Sequence, residues 1–345
     1  MPSVLLINAL KNKIQDEEKL IPASITKNIQ RWIKLHIAQI GTGRVGRPTA
    51  YTIMCSGLAD TLTVCDVKPG LAAAFAEELK HVTSSIGIDV EINSCEKDEE
   101  VTNADIILVS AGEPRLPGVK MSRRDLAVQN AKIVKHVSKT IAPRNRGAKY
   151  IVISNPVDAM AMVCKKYSRA DFVISTGTNL ESLRFRSKLA ETLNLPKSQI
   201  RGWVGGEHGE AAIPLWSTTQ IQNQSIEDYI ALENRSLNKN EIDTYIKNVS
   251  RIIIDNIGGT EYGPAASFRD ITRAIVKNTG EILSVATPIR FRENAEPIFV
   301  GIPVHLGWNI GKSLYETLSK KEQEAIAEAS KKIYQTYLTA IENLE

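Results

Sequence analysis

Apolar positions in this chain fall alternately into short unbroken runs and into stretches of helical period. Leu35-His36-Ile37-Ala38-Gln39-Ile40 is a run that stops abruptly at Gly41-Thr42-Gly43-Arg44-Val45-Gly46, which predicts strand, turn and helix. Helical spacing through Ala50, Tyr51, Ile53 and Met54 ends at Gly57, and Leu62-Thr63-Val64-Cys65-Asp66 supplies a second buried strand, completing a βαβ unit. An amphipathic segment from Leu71 to Val82, a strand Asp105–Ser110, a helix from about Asp125 to Ile141 and a strand Tyr150–Ser154 continue the alternation. Runs apolar on both faces, separated by helices, imply a parallel sheet covered on both sides.

After Asn155-Pro156 the pattern becomes mixed. It predicts helices near Ala159–Tyr167 and Leu183–Leu193, short strands around Trp203 and Ile213, and long helices near Glu241–Ile257 and Ala265–Lys277. Strands Ile282–Ile289 and Ile298–His305 precede a C-terminal helix whose start carries the capping box Ser319-Lys320-Lys321-Glu322. The expected fold class is α/β: a doubly wound, mostly parallel Rossmann sheet followed by a C-terminal α+β substrate domain. The expected boundaries are an N-terminal extension over 1–34, a dinucleotide-binding domain over 35–178 and a substrate-binding, catalytic domain over 179–345. For the extension, an arm across a subunit interface, ordinary surface packing and a start codon assigned too early all stay open.

At 345 residues the chain exceeds the size at which one core stops growing, which fits two lobes. The 43 basic and 39 acidic residues are interspersed and leave a net charge of only +4, so no stripe exists to track a nucleic-acid backbone. Cys55, Cys65, Cys95 and Cys164 form no CxxC pair and lack zinc spacing; no metal is expected, and the four read as buried thiols in a reducing cytosol. No apolar run approaches the ~20 residues that span a bilayer, and Asp16, Glu17 and Glu18 argue against a transit peptide, so the expected location is the cytoplasm, away from membranes.

The glycine loop gains meaning from its context. It follows a strand, opens a helix, and Asp66 stands twenty residues beyond Gly46 at the end of the next strand. Gly41 makes the tight turn, Gly43 admits a pyrophosphate to the backbone, Gly46 packs helix on strand, and the helix N-terminus attracts the phosphates. Asp66 accepts bonds from the adenosine ribose hydroxyls and repels a 2′-phosphate, which favours NAD; Lys68 leaves the preference over NADP open.

Three further clusters carry chemistry. Gly206-Glu207-His208-Gly209-Glu210 sets a histidine between glycines, a poor helix or core-strand sequence but a good one for a ring held at a cleft. Of the five histidines, His36, His81, His136 and His305 sit in strand or helix patterns and read as packing or surface residues. In Asn179-Leu180-Glu181-Ser182-Leu183-Arg184 the spacing of three puts Glu181 and Arg184 on one helix face, either as a structural ion pair or as a fork for a substrate carboxylate. The segment Gly112–Arg124, with two prolines, two glycines and four cations, is too polar for core; it is either a solvated connection or a lid over an anionic substrate. A dehydrogenase of 2-hydroxy acids needs a base for the alcohol proton and a fixed cation for the carboxylate, and both types are present.

These pieces in this order resemble the lactate/malate dehydrogenase family over about residues 35–340. They are the Gly41–Gly46 loop, Asp66, Ala111-Gly112, Ser154-Asn155-Pro156-Val157, Asn179–Arg186, Gly206–Glu210 and Thr260–Ser267. The resemblance implies that His208 exchanges the substrate proton, Arg184 grips the C1 carboxylate, Arg123 descends with the lid to polarise the carbonyl, Asn155 bonds near the substrate oxygen and nicotinamide, and Thr260 lines the pocket. It places Asn130 with Gly41, Thr42, Gly43, Arg44, Val45, Gly46, Asp66 and Asn155 among the cofactor-binding residues. Homodimers or homotetramers are usual in the family.

Arg115 falls where malate-specific members carry a second arginine and lactate-specific ones a neutral residue. The implied reaction is reversible hydride transfer between (S)-malate and NAD, giving oxaloacetate and NADH, with the small dicarboxylate as the partner. An arginine under a closed lid with no second carboxylate to meet is an unpaired desolvated charge costing several kcal/mol, so pyruvate should be a poor substrate. A lactate or other 2-hydroxyacid dehydrogenase and a non-catalytic NAD-binding assembly protein stay open as alternatives. One departure stands out: Glu181 occupies the place of the usual aspartate that orients the catalytic imidazole, one methylene longer.

Overall fold

In the computed structural model of the protein, residues 34–113, 123–291, 296–342 and 344 are described, with Arg123 and Arg124 described in their backbone alone. Strands β1 (His36–Ile40), β2 (Thr61–Cys65), β3 (Glu91–Cys95), β4 (Ile106–Val109), β5 (Lys149–Val152) and β6 (Val173–Ser175) form the first part of the sheet. Their spatial order is β3-β2-β1-β4-β5-β6, all parallel. The order reverses between β1 and β4, which opens a crevice at the carboxyl ends of the strands, the place where doubly wound sheets bind ligands.

Helices cover this sheet because its strands are apolar on both sides; Ile37, Ile40, Leu62, Val64 and the whole of β4 are buried. They are α1 (Gly46–Cys55), α2 (Leu71–Ile86), α3 (Arg123–Ile141) and α4 (Val157–Ser168), and α3 packs along α4. Then follow α5 (Asn179–Leu193), β7 (Ile200–Arg201), β8 (Val204–Gly206), β9 (Ala212–Pro214), β10 (Gln220–Ile221), β11 (Gln224–Ser225), α6 (Ile226–Leu232), α7 (Lys239–Ile257) and α8 (Tyr262–Val276). Strands β12 (Glu281–Ile289), β13 (Ile298–Leu306) and β14 (Ile310–Ser313) and helix α9 (Lys320–Ile341) complete the fold.

The second half continues the first sheet. Strand β12 joins β6 antiparallel at Ala286 opposite Ser175, and β13, β8 and β9 extend it, while β7, β10 and β11 form a small separate sheet. A smaller core gathers Phe185, Leu189, Ile221, Ile226, Ile242 and Ile246 around α5 and α7, with Phe185 edge-on to Trp216 at 4.9 Å. Helix α9 begins with the expected capping box and lies over α3 and α4. Among the described residues no helix is long and apolar enough to cross a membrane.

Several boundaries differ from the sequence expectations. Helix α2 runs on to Ile86, where Gly87 at φ +65° stops it, and α5 starts at Asn179, four residues before Leu183. Strands β3 and β6 were not anticipated: β3 buries only Ile92 and Cys95, and β6 is three residues long, so neither leaves a clear apolar run. Cys65, Cys95 and Cys164 are buried, but Cys55 is exposed, because the last turn of α1 leaves it on the solvent side.

Candidate active site

The glycine loop leaves β1 at its carboxyl end, and each of its glycines is required for a different reason. Gly41 adopts φ +89°, and a Cβ there would lie 2.7 Å from the Ala111 nitrogen. A Cβ on Gly46 would come within 2.0 Å of the Gly41 carbonyl oxygen, so this position holds α1 against the turn. A Cβ on Gly43 would meet nothing within 4 Å; it would project into open space over the loop, where a pyrophosphate has room to lie against the backbone. Val45 is the N-cap of α1.

Asp66 closes this loop from the neighbouring strand. Its Oδ2 accepts the Thr42 backbone N–H at 2.7 Å and the Thr42 hydroxyl at 2.9 Å, and its Oδ1 accepts the Lys68 backbone N–H at 3.0 Å. A carboxylate offers about four lone-pair sites, so capacity for ribose hydroxyls remains. Arg44 turns its guanidinium to Glu261 Oε1 at 3.1 Å, just beyond Thr260, and so links the loop to the start of α8. Asn130, buried on α3, accepts the Glu113 N–H at 2.7 Å and donates to the Asn155 carbonyl at 2.6 Å, which pins the entrance of the 112–124 segment to the end of β5. Arg115 lies outside the described residues, as does the side chain of Arg123, whose backbone opens α3.

Glu181, Arg184 and His208 come together as a second group. His208 Nδ1 is 3.0 Å from Glu181 Oε2, and Arg184 donates through NH1 to Glu181 Oε1 at 3.2 Å. The His208 side chain keeps 26% of its surface exposed against 5% for Glu181, and its second nitrogen, Nε2, is not engaged by Glu181. Burial alone would lower the imidazole pKa; the charge and hydrogen bond of Glu181, joined by the charge of Asp158, outweigh it and push His208 up to about 9. Burial acts to raise Glu181, but the His208 charge and hydrogen bond, with Arg184, hold it below the usual carboxylate range. Burial lowers the Arg184 guanidinium, opposed by Glu181.

The extra methylene of Glu181 is thus accommodated, with one oxygen for each neighbour. Asn179, at the first turn of α5, donates to Ser267 Oγ at 2.9 Å and anchors this helix on α8, which Thr260 precedes. One buried acid escaped the sequence reading: Asp158, on the first turn of α4, accepts the His208 backbone N–H at 3.0 Å and the Ser175 hydroxyl at 2.7 Å. An acidic residue in a first turn has an ordinary explanation in the helix dipole, so no sequence signal set it apart.

Two family models match the chain: the lactate/malate dehydrogenase NAD binding domain over residues 35–172, and the lactate/malate dehydrogenase alpha/beta C-terminal domain over 178–343. A malate dehydrogenase of Sulfolobus acidocaldarius is 38% identical over 309 residues, covering 90% of this chain and 98% of that one. An L-lactate dehydrogenase of a Thermoanaerobacter species is 30% identical over 311 residues, covering 89% and 99%. Among solved structures, Cryptosporidium parvum malate dehydrogenase superposes with a TM-score of 0.82 at 28% identity, over 90% of this chain and 99% of that one. The cofactor these matches carry with them is NAD, and the open space over Gly43 and the acid at the end of β2 fit it.

Proposed function

Because the chain belongs to the lactate/malate dehydrogenase family, as an oxidoreductase that uses NAD, we propose that its substrate pair is (S)-malate and oxaloacetate. The observation that carries this choice is Arg115, a cation in the segment between the Asn130-pinned entrance and α3, suited to the second carboxylate of a dicarboxylate. The 38% identity to a malate dehydrogenase supports it. Relatives that are L-lactate dehydrogenases at 30% identity keep a lactate-type reading as the alternative, which requires Arg115 to point away from the pocket.

Bound NAD supplies the hydride acceptor, and NADH the donor. His208 takes the hydroxyl proton on Nε2 during malate oxidation and returns it during oxaloacetate reduction. Glu181 fixes the ring through Nδ1 and favours the imidazolium that forms, the role a carboxylate plays beside a catalytic histidine elsewhere. Arg184, oriented by the other Glu181 oxygen, binds the C1 carboxylate with its remaining donors. Arg123 brings a positive charge to the carbonyl as it polarises, Asn155 bonds beside it, and Thr260 lines the pocket. The Gly41–Gly46 loop, Asp66, Asn130 and Asn155 hold the dinucleotide.

In this reading residues 35–178 carry the cofactor and 179–345 the substrate. We place the enzyme in the cytoplasm as a homo-oligomer. Ile252, Ile254, Ile257 and Tyr262, exposed apolar side chains on α7 and α8, support a subunit contact. The test of the substrate is NADH oxidation by the purified protein with oxaloacetate and with pyruvate at matched concentrations.

A further inference from the structure

Asp158 sits where three separately encoded parts of the site converge. It is 3% exposed, on the first turn of α4, with no cation bonded to it among the described residues. Its Oδ2 accepts the backbone N–H of His208 at 3.0 Å, which holds the Gly206–Gly209 turn against α4. Its Oδ1 accepts the hydroxyl of Ser175 at 2.7 Å, and the same Ser175 oxygen accepts the Gly177 backbone N–H at 3.1 Å. Gly177, at φ +48°, belongs to the turn from β6 into α5, the helix that presents Glu181 and Arg184. A Cβ on Gly177 would lie 2.5 Å from the Ala286 nitrogen, so this turn has little freedom. The carboxylate therefore ties the turn that carries the imidazole to the turn that starts the helix carrying its partner acid.

We infer that Asp158 is a positioning residue of the proton-exchange site, which fixes His208 relative to Glu181 through the His208 backbone and Ser175 and adds a second negative charge near the imidazole. The inference rests on the role proposed for His208 and is independent of which 2-hydroxy acid is the substrate. A buried carboxylate that merely filled space would be better replaced by an apolar group, since ionising it away from water is costly. Here both oxygens accept bonds from donors that a neutral side chain of another shape would leave unpaired.

The groups facing His208 are Glu181 and Arg184 from α5 and Asp158 from α4, with Glu207 beside it on its own turn acting on Asp158. Burial pushes Asp158 up to about 6, against the Ser175 hydroxyl and the His208 N–H and charge, which favour its ionised form. Above that pH its charge is present and favours the imidazolium, against burial and the charge of Arg184.

The measurement is the His208 pKa by NMR titration of the imidazole in protein without substrate, together with kcat/KM for keto-acid reduction across pH. Asp158→Asn keeps both hydrogen-bond partners, with the amide oxygen accepting from His208 and the amide nitrogen donating to Ser175, but removes the charge. The His208 pKa falls in this variant, since a neighbouring negative charge that favours the imidazolium is lost, and the falling limb of kcat/KM moves with it to lower pH. Ser175→Ala removes one bond to the acid but leaves its charge in place near pH 9, so it moves the limb far less than Asp158→Asn while loosening the Gly177 turn. If Asp158→Asn folds and leaves the titration and the limb where they are in the parent protein, whatever it does to turnover, the inference is overturned. An unmoved NMR titration separates that failure from a wrong substrate, which leaves the titration shift intact and changes only which keto acid is reduced.

Discussion

Glu181 divides one carboxylate between two functional neighbours, with Oε2 3.0 Å from His208 Nδ1 and Oε1 3.2 Å from Arg184 NH1. The same acid therefore sets the tautomer of the imidazole and the direction of the guanidinium. Glu181→Gln is expected to lower kcat by a factor on the order of 10³–10⁴, the scale of such losses at a carboxylate–histidine pair, with NADH affinity unchanged. Glu181→Asp keeps the charge but not the reach to both partners, and falls between. Steady-state kinetics and a fluorescence titration with NADH check both; a Gln variant within tenfold of the parent removes Glu181 from the proton path.

The pH dependence follows from the elevated His208 pKa. Keto-acid reduction needs the imidazolium, so its kcat/KM should hold up to about 9 and fall roughly tenfold per unit above that; oxidation of the alcohol needs neutral imidazole and rises toward the same value. His208→Asn should abolish turnover in both directions and leave NADH binding in place.

The same shift predicts a stability change. The folded pKa of about 9 lies above the ordinary 6.5, so the stabilisation that His208 contributes is complete below 6.5 and is lost as pH rises through 9. The difference in Tm between the parent and His208→Asn should shrink across that window. A difference that grows with pH would contradict the sign.

Two glycines of one loop should fail in different ways. Gly43→Ala puts a methyl into open space over the loop, and is expected to raise the Kd for NADH at least tenfold with little change in Tm. Gly46→Ala drives a Cβ to within 2.0 Å of the Gly41 carbonyl oxygen, and should destabilise the protein by a few kcal/mol, lowering Tm by several degrees. Thermal unfolding and dinucleotide titration of the two variants separate the effects; equal losses of stability would contradict the assignment.

Much of this was legible in the chain because the physics involved is local. Ile37–Ile40, Leu62–Cys65 and Ile106–Val109 are buried throughout, so they read as continuous apolar runs between helical stretches. The glycine loop, Asp66 and the Glu181–Arg184 spacing are each contained within about twenty residues. Strand β3 was hidden by its exposed Glu91, Asn93 and Ser94, and β6 by its length. Asp158 was hidden for another reason: its partner His208 is fifty residues away, and only the packing of the β8–β9 turn on α4 brings them together. Asn130 was expected among the cofactor-binding residues by resemblance alone, while its bonds to Glu113 and Asn155 are tertiary.

The central claim is the dicarboxylate substrate, and the most direct test is the rate of NADH oxidation with oxaloacetate and with pyruvate, for the parent protein and for Arg115→Gln. The account predicts that the parent strongly prefers oxaloacetate and that the variant loses oxaloacetate reduction by ~10²-fold or more with much less effect on pyruvate, because a paired charge in the closed site is removed. Preference of the parent for pyruvate, or equal small losses on both substrates in the variant, would contradict it.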